Sequence, residues 1–170
     1  MPKQGFFSRR PWLRDLLFVV LLVAGIRAYQ QRDLVSGQAP QLNGVSARGE
    51  PLSLAAQAYQ GRPVLVHFWA TWCGVCRAEQ GSIDAIARTH PVLSVSSSSG
   101  QPAEVAAYVD EHGIAPPVIV DTSSVLAKRY GVHAFPTSFI LNREGKIAFR
   151  EVGYTTELGL RARLWLAGVF

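Results

Sequence analysis

The chain has 170 residues, 48% of them hydrophobic, with 17 Lys and Arg against 12 Asp and Glu for a net charge of +5. One domain with an ordinary core fits that length and composition. The basic balance does not indicate nucleic acid: Lys3, Arg9, Arg10, Arg14, Arg27 and Arg32 against Asp15 put +5 into residues 1–32, so residues 33–170 sum to zero, whereas a nucleic-acid domain carries its charge on the folded part.

Residues 16–26 are an unbroken apolar run preceded by basic residues. A charged region followed by an apolar one is the layout of a secretory signal. The run is short for a spanning helix, which takes about 20 apolar residues; Trp12, Leu13, Ala28 and Tyr29 extend it, with Arg14 and Arg27 snorkelling. Small-residue cleavage sites are poorly formed at Val23-Ala24-Gly25 and Ile26-Arg27-Ala28. Residues 1–29 are therefore read as an uncleaved signal anchor, the alternative being a soluble periplasmic protein after cleavage. The positive-inside rule puts the N-terminus in the cytoplasm and the remainder outside. Ser8-Arg9-Arg10-Pro11 also resembles a twin-arginine export signal. Residues 30–38 are polar and read as a linker, and residues 39–170 as the folded domain.

Residues 42–45 and 52–54 flank a turn-like Ala47-Arg48-Gly49-Glu50 and predict a small hairpin. Residues 55–60 predict a short helix. Pro63 fits only the start of a strand, and residues 64–69 form that strand, apolar on both faces as a covered central strand must be. Residues 77–89 predict a helix, with Ile83, Ile86 and Ala87 on one face. Residues 91–95 predict a strand. Ser96-Ser97-Ser98-Ser99-Gly100 is a strand-to-helix loop, because Pro102 opens a helix that Gly113 ends. Residues 118–120 make a short buried strand, and Asp121 caps a helix over 123–130. Residues 137–141 and 146–152 pair about Asn142-Arg143-Glu144-Gly145. Residues 155–167 make the last helix, with Leu158, Leu160, Leu164 and Leu166 as its apolar content.

The chemistry sits between the 64–69 strand and the following helix. Cys73 and Cys76 are the only cysteines. Three apart on a helix, they share a face and lie within disulfide range. Cys73 sits where unpaired amide N–H groups stabilise a thiolate. A redox dithiol, half a metal site and a structural crosslink all use such a pair. Zinc needs about four ligands, and His67, His90, His112 and His133 are scattered. A two-residue loop gains a structural disulfide little entropy. The redox reading stands ahead of the other two.

Phe68-Trp69-Ala70-Thr71-Trp72-Cys73-Gly74-Val75-Cys76 resembles the active-site segment of thioredoxin-fold proteins. The Ala70-Thr71-Trp72-Cys73 form and Glu79 resemble their membrane-tethered, extracytoplasmic TlpA/ResA-like branch. Tyr130-Gly131-Val132-His133-Ala134-Phe135-Pro136-Thr137 resembles that branch's cis-proline segment, and Asn142-Arg143-Glu144-Gly145 its hairpin. Around Cys73-Gly74-Val75-Cys76 the sequence looks like the copper-sensitivity suppressor (ScsD-like) oxidoreductases. The resemblance covers residues 39–170. It implies an α/β thioredoxin fold: a central mixed sheet flanked by helices, with a short N-terminal β-hairpin and a signal-anchor helix.

The resemblance also distributes roles. Cys73 is the exposed nucleophile and Cys76 the resolving thiol one turn deeper. Pro136 is the cis-proline, and Phe135 before it offers backbone groups to a bound peptide. Trp72 lies at the substrate rim, Trp69 in the core. Gly74 and Val75 tune the redox potential. Glu79 shares a helical face with Cys76 and exchanges protons with it; its alternative is a solvated helix glutamate. His67 departs from the family, which has Asp, Asn or an apolar residue there. It is read as a base for Cys76 or, protonated, as a group that lowers a thiol pKa; its alternative is a core histidine with a backbone partner.

The expected function is thiol–disulfide exchange on extracytoplasmic proteins, reductive or linked to copper tolerance, with a membrane electron-transfer partner and no metal or cofactor. A disulfide-forming oxidase is the alternative. From another class comes a non-catalytic copper-binding or chaperone module, against which one Met and scattered His argue.

Overall fold

The computed structural model describes residues 11–54 and 61–169. The helix expected at 55–60 and the arginine pair at 9–10 lie outside the described residues. The chain divides into Met1–Arg32 and Asp33–Phe170. In the first unit, α1 (Pro11–Gln31) is helical throughout, and its large apolar side chains from Trp12 to Tyr29 are exposed. Arg14, Asp15 and Arg27 bound its uncharged stretch. No helix among the described residues is long and apolar enough to cross a membrane.

The second unit carries, in chain order, β1 (Gly37–Gln38), β2 (Asn43–Val45), β3 (Pro51–Ser53), β4 (Val64–Trp69), α2 (Gly74–Ala87), β5 (Val92–Ser97), α3 (Pro102–His112), β6 (Val118–Asp121), α4 (Val125–Arg129), β7 (Thr137–Leu141), β8 (Lys146–Val152) and α5 (Glu157–Ala167). Six strands form one sheet in the order β1-β8-β7-β4-β5-β6. Strands β4, β5 and β6 run parallel; β7, β8 and β1 continue antiparallel. Strands β2 and β3 form the expected hairpin. This is the α/β thioredoxin fold, with a mixed sheet between helices.

The period-2 alternation of β4 divides the core. Val64, Val66 and Phe68 face one side with Leu93, Val95, Phe139 and Leu141, covered by Leu126, Ala127 and Tyr130. Phe68 and Tyr130 stand 5.1 Å apart and Tyr130 and Phe139 5.1 Å, the latter edge to face. Leu65 faces the other side, with Ile83 and Ile86 of α2 and Leu160 and Leu164 of α5. Each such side chain contributes about 1.5–3 kcal/mol by leaving water.

Several expectations shift. Residues 33–38 do not all serve as a linker: Leu34 is buried in the core, and Gly37 and Gln38 pair with Ile147 and Lys146. A two-residue strand has no periodicity to read. Leu158 is not part of the buried face of α5; it is 79% exposed, while Leu160 and Leu164 are buried, because only the latter two fall on the sheet side of the helical turn. Asp121 does cap α4, but from the end of β6: its carboxylate accepts from Leu126 N at 3.1 Å and Ala127 N at 2.9 Å.

Candidate active site

Strand β4 ends at Trp69, and Ala70 to Trp72 turn the chain into α2 with Cys73 as the N-cap. Cys73 and Cys76 are disulfide-bonded, with Cα atoms 5.3 Å apart. Cys73 Sγ also accepts a hydrogen bond from Cys76 N at 3.1 Å, the capping bond that a helix terminus otherwise takes from a Ser or Asp oxygen. In this oxidised form Cys73 is not an open sulfur: it is 6% exposed against 2% for Cys76.

That rim is aromatic. Trp72 is 65% exposed. Its indole Nε1 donates to Ser98 O at 2.9 Å, and its ring meets the edge of Phe135 at 5.8 Å. The Phe135–Pro136 peptide is cis. Pro136 O accepts from Gly153 N at 2.9 Å, which brings Tyr154, also exposed, beside the cis-proline. Gly74 and Val75 are exposed between the cysteines. Trp69 is core, as expected, with Nε1 donating to Ser94 Oγ at 2.6 Å.

Below the disulfide, α2 turns Cys76, Glu79, Ile83 and Ile86 inward. Glu79 is fully buried, which removes the solvated alternative. Its Oε1 accepts from Thr155 N at 2.8 Å, and its Oε2 has no partner among the described residues. Burial pushes its carboxyl up to about 7, against the opposing pull of the Thr155 amide. It therefore titrates near neutrality.

His67 lies on the same face of the sheet as Leu65 and Trp69, flanked in register by Ser94 and Ser138. It is fully buried. Its Nδ1 shares a 2.9 Å hydrogen bond with Ser138 Oγ, and its Nε2 has no partner among the described residues. Burial pushes its pKa down to about 3. The imidazole is thus neutral at pH 7 and brings no positive charge to the dithiol. Its partner is a side chain, not the backbone group that the core-histidine alternative expects.

Sequence reasoning missed Ser98, Ser138, Gly153, Tyr154 and Thr155. Ser138 was visible in principle, two residues past Pro136 on a strand. The others reach the site only through tertiary pairing. Among the described residues no group of three or more His, Cys, Asp or Glu is placed to hold a metal ion.

Residues 34–162 match the Redoxin family. The thioredoxin-like protein YneN of Bacillus subtilis (strain 168) is 30% identical over 168 residues, covering 91% of this chain and 97% of that protein. The thiol-disulfide oxidoreductase ResA of Halalkalibacterium halodurans is 25% identical, covering 88% and 90%. The crystal structure of the pneumococcal exposed lipoprotein thioredoxin Etrx1, from Streptococcus pneumoniae strain TIGR4, superposes with a TM-score of 0.63 at 28% identity, covering 75% of this chain and 99% of that one. The family match takes in the dithiol, the cis-proline and the strands that carry both, so the chain belongs to the Redoxin family, as a thioredoxin-like thiol–disulfide oxidoreductase of the ResA-like group.

Proposed function

We propose that this oxidoreductase works outside the cytoplasmic membrane, held by residues 1–29 as a signal anchor, and reduces disulfides in other proteins. A thiolate at Cys73 attacks the substrate disulfide. A mixed disulfide forms and one substrate thiolate leaves. Cys76 gives its proton to Glu79 and attacks Cys73 Sγ; the second substrate sulfur leaves and the Cys73–Cys76 bond closes. Two electrons pass to the substrate, and a membrane dithiol partner returns the enzyme to its reduced form. Trp72, Phe135 and Pro136 receive the substrate chain, and Gly74 and Val75 set the potential. His67, neutral and tied to Ser138, orients the layer beneath the cysteines.

The observation that carries the reductive direction is the charge around the dithiol. Strong oxidants stabilise the reduced thiolate with positive charge. Here the nearest buried histidine is neutral, its pKa about 3, and the buried group that does titrate near neutrality is a carboxylate. The ionised carboxylate disfavours a thiolate on the dithiol, and the neutral histidine supplies no positive charge to stabilise one. The exposed-lipoprotein name of the pneumococcal relative supports an extracytoplasmic site. The resemblance around Cys73-Gly74-Val75-Cys76 points to proteins whose thiols copper oxidises as substrates.

The test is the reduction potential of Cys73–Cys76 in the full-length chain, equilibrated against glutathione. A value near the thioredoxin end, about −270 mV, supports a reductase; one near about −120 mV makes it a disulfide-forming oxidase.

A further inference from the structure

We propose that Asp121 and Ser98 are positioning residues for the aromatic rim of the dithiol, fixing Trp72 against Phe135 and so setting the grip on a protein substrate without taking part in the sulfur chemistry. The proposal rests on the thiol–disulfide activity above.

Asp121 ends β6 and is buried, at 5% exposure. Its carboxylate accepts three hydrogen bonds: Ser97 Oγ at 2.9 Å, Leu126 N at 3.1 Å and Ala127 N at 2.9 Å. Its backbone carbonyl accepts two more, from Ser98 N at 3.3 Å and Ser124 N at 3.0 Å. One residue thus fastens the end of β5 to the start of α4.

Ser98 and Ser124 are the two non-glycine residues with positive φ among the described residues, at 52° and 57°. L side chains adopt that region only where the surroundings hold them. Here the surroundings do: both N–H groups point at the same Asp121 carbonyl, and the two hydroxyls hydrogen-bond each other. The left-handed turn at Ser98 directs its carbonyl to Trp72 Nε1. Next to it, Ser99 Oγ accepts from Thr71 N at 3.1 Å and donates to Ser97 O at 3.0 Å. The turn that carries Trp72 is therefore tied to the serine loop at two points.

The second ring of the aromatic rim leads back to the same residue. Helix α4, held at its start by Asp121, passes into Val132, whose N–H bonds to Ala127 O at 2.9 Å. Three residues later comes Phe135, whose ring meets Trp72. Trp72, through the Ser98 turn held by the Asp121 backbone carbonyl, and Phe135, through the helix start held by the Asp121 carboxylate, are thus both referred to Asp121. None of Asp121, Ser97 or Ser98 touches a cysteine in these contacts. A change there alters the fit of a large substrate and leaves the dithiol as it is.

The experiment uses the full-length chain in detergent, with insulin as the protein disulfide under dithiothreitol and, in a separate assay, the pre-reduced enzyme freed of dithiothreitol reacting with 5,5′-dithiobis(2-nitrobenzoate) as a small disulfide that needs no protein-binding rim. Ser98→Ala removes one surface hydroxyl and keeps the backbone; Asp121→Asn removes acceptor capacity. The expected result is a rise in KM for insulin of roughly 5-fold, with kcat and the small-disulfide rate within about 2-fold of wild type. Trp72→Phe, which deletes the indole donor, raises KM as well, and Ser98→Ala, which removes the hydroxyl bond to Ser124 that holds the left-handed turn aiming the Ser98 carbonyl at the indole, adds less than its single effect in the double variant, as for two changes coupled through one contact. An unchanged KM in Ser98→Ala, additive effects with Trp72→Phe, or equal falls with both substrates overturns the proposal. A wild-type chain inert towards both disulfides removes the activity itself, which is a distinguishable failure.

Discussion

Thr155 N donates to Glu79 Oε1 at 2.8 Å, which ties the start of the α5 segment to the carboxylate one turn below Cys76. Two residues back, Gly153 N holds Pro136 O. The three residues Gly153, Tyr154 and Thr155 thus cross from the cis-proline to the buried acid.

Glu79 gives a pH prediction with a defined sign. Its folded pKa, about 7, stands above the ordinary 4.5, so the folded state holds the proton more tightly than the unfolded state. Stability is full below about pH 4.5 and falls as pH rises through 7, by about 3 kcal/mol if the whole shift is expressed. Glu79→Gln removes that decline, which lies between about pH 4.5 and 7, read as the difference between variant and wild-type urea midpoints of the oxidised protein from pH 5 to 8. The same variant loses the proton acceptor of Cys76. Its turnover falls on the order of 10²-fold, and the remaining activity rises only towards the thiol range near pH 8.5. A variant with the wild-type pH profile removes Glu79 from the proton path.

His67 gives the opposite slope. Its folded pKa, about 3, lies below the ordinary 6.5, so the unfolded state binds the proton first. Stability is lost as pH falls below 6.5, at about 1.4 kcal/mol per pH unit, or about 2 kcal/mol by pH 5. His67→Asn keeps a polar partner for Ser138 and abolishes that acid slope. Urea melts at pH 7 and pH 5 decide it, read as variant minus wild type because the Glu79 slope runs the other way in both proteins: a difference that is the same at the two pH values shows that the acid sensitivity lies elsewhere.

The dithiol and five of the sheet's six strands are legible because each has a local signature: a two-residue cysteine spacing, apolar stretches of strand length; the cis-proline is legible only through the family resemblance of residues 130–137, since an X–Pro bond by itself favours trans. Burial of Glu79 was half legible, since its spacing from Cys76 placed it on the inward face but could not say what covers that face. The supports of the aromatic rim were not legible. Ser98 acts through a backbone carbonyl, Thr155 through a backbone N–H, and both depend on which strands become neighbours. Residues 33–38 were misjudged for a related reason: polar residues with one glycine look alike whether they float or pair, and only the β8 edge makes Gly37 and Gln38 a strand.

The division of labour between the cysteines is testable by trapping. In Cys76→Ser the first attack still occurs and the second cannot. A covalent complex with a disulfide-bearing protein then accumulates, seen as an added mass that dithiothreitol removes, while turnover falls to background. Cys73→Ser forms no such complex. Equal trapping by both variants reverses or abolishes the assignment of Cys73 as nucleophile.

The attachment of residues 33–35 to the folded unit makes one substitution decisive. Gly131 follows α4 with φ +69°, and a Cβ there would stand 1.9 Å from Asp33 O and 3.1 Å from Leu34 Cα. The neighbouring bonds close the same contact: Val35 N donates to Tyr130 O at 3.2 Å, and Tyr130 OH to Pro40 O at 2.6 Å. Backbone cannot give way as a flexible side chain can. Gly131→Ala therefore combines left-handed strain with a collision against main chain, and costs more than about 2 kcal/mol. Removing residues 1–36 relieves the collision and with it most of the penalty of the substitution, though the shortened chain loses the burial of Leu34. Urea melts of the two variants and their parents decide the matter. If Gly131→Ala is as costly without residues 1–36 as with them, the penalty comes from the left-handed conformation alone and the arm is not packed on Gly131.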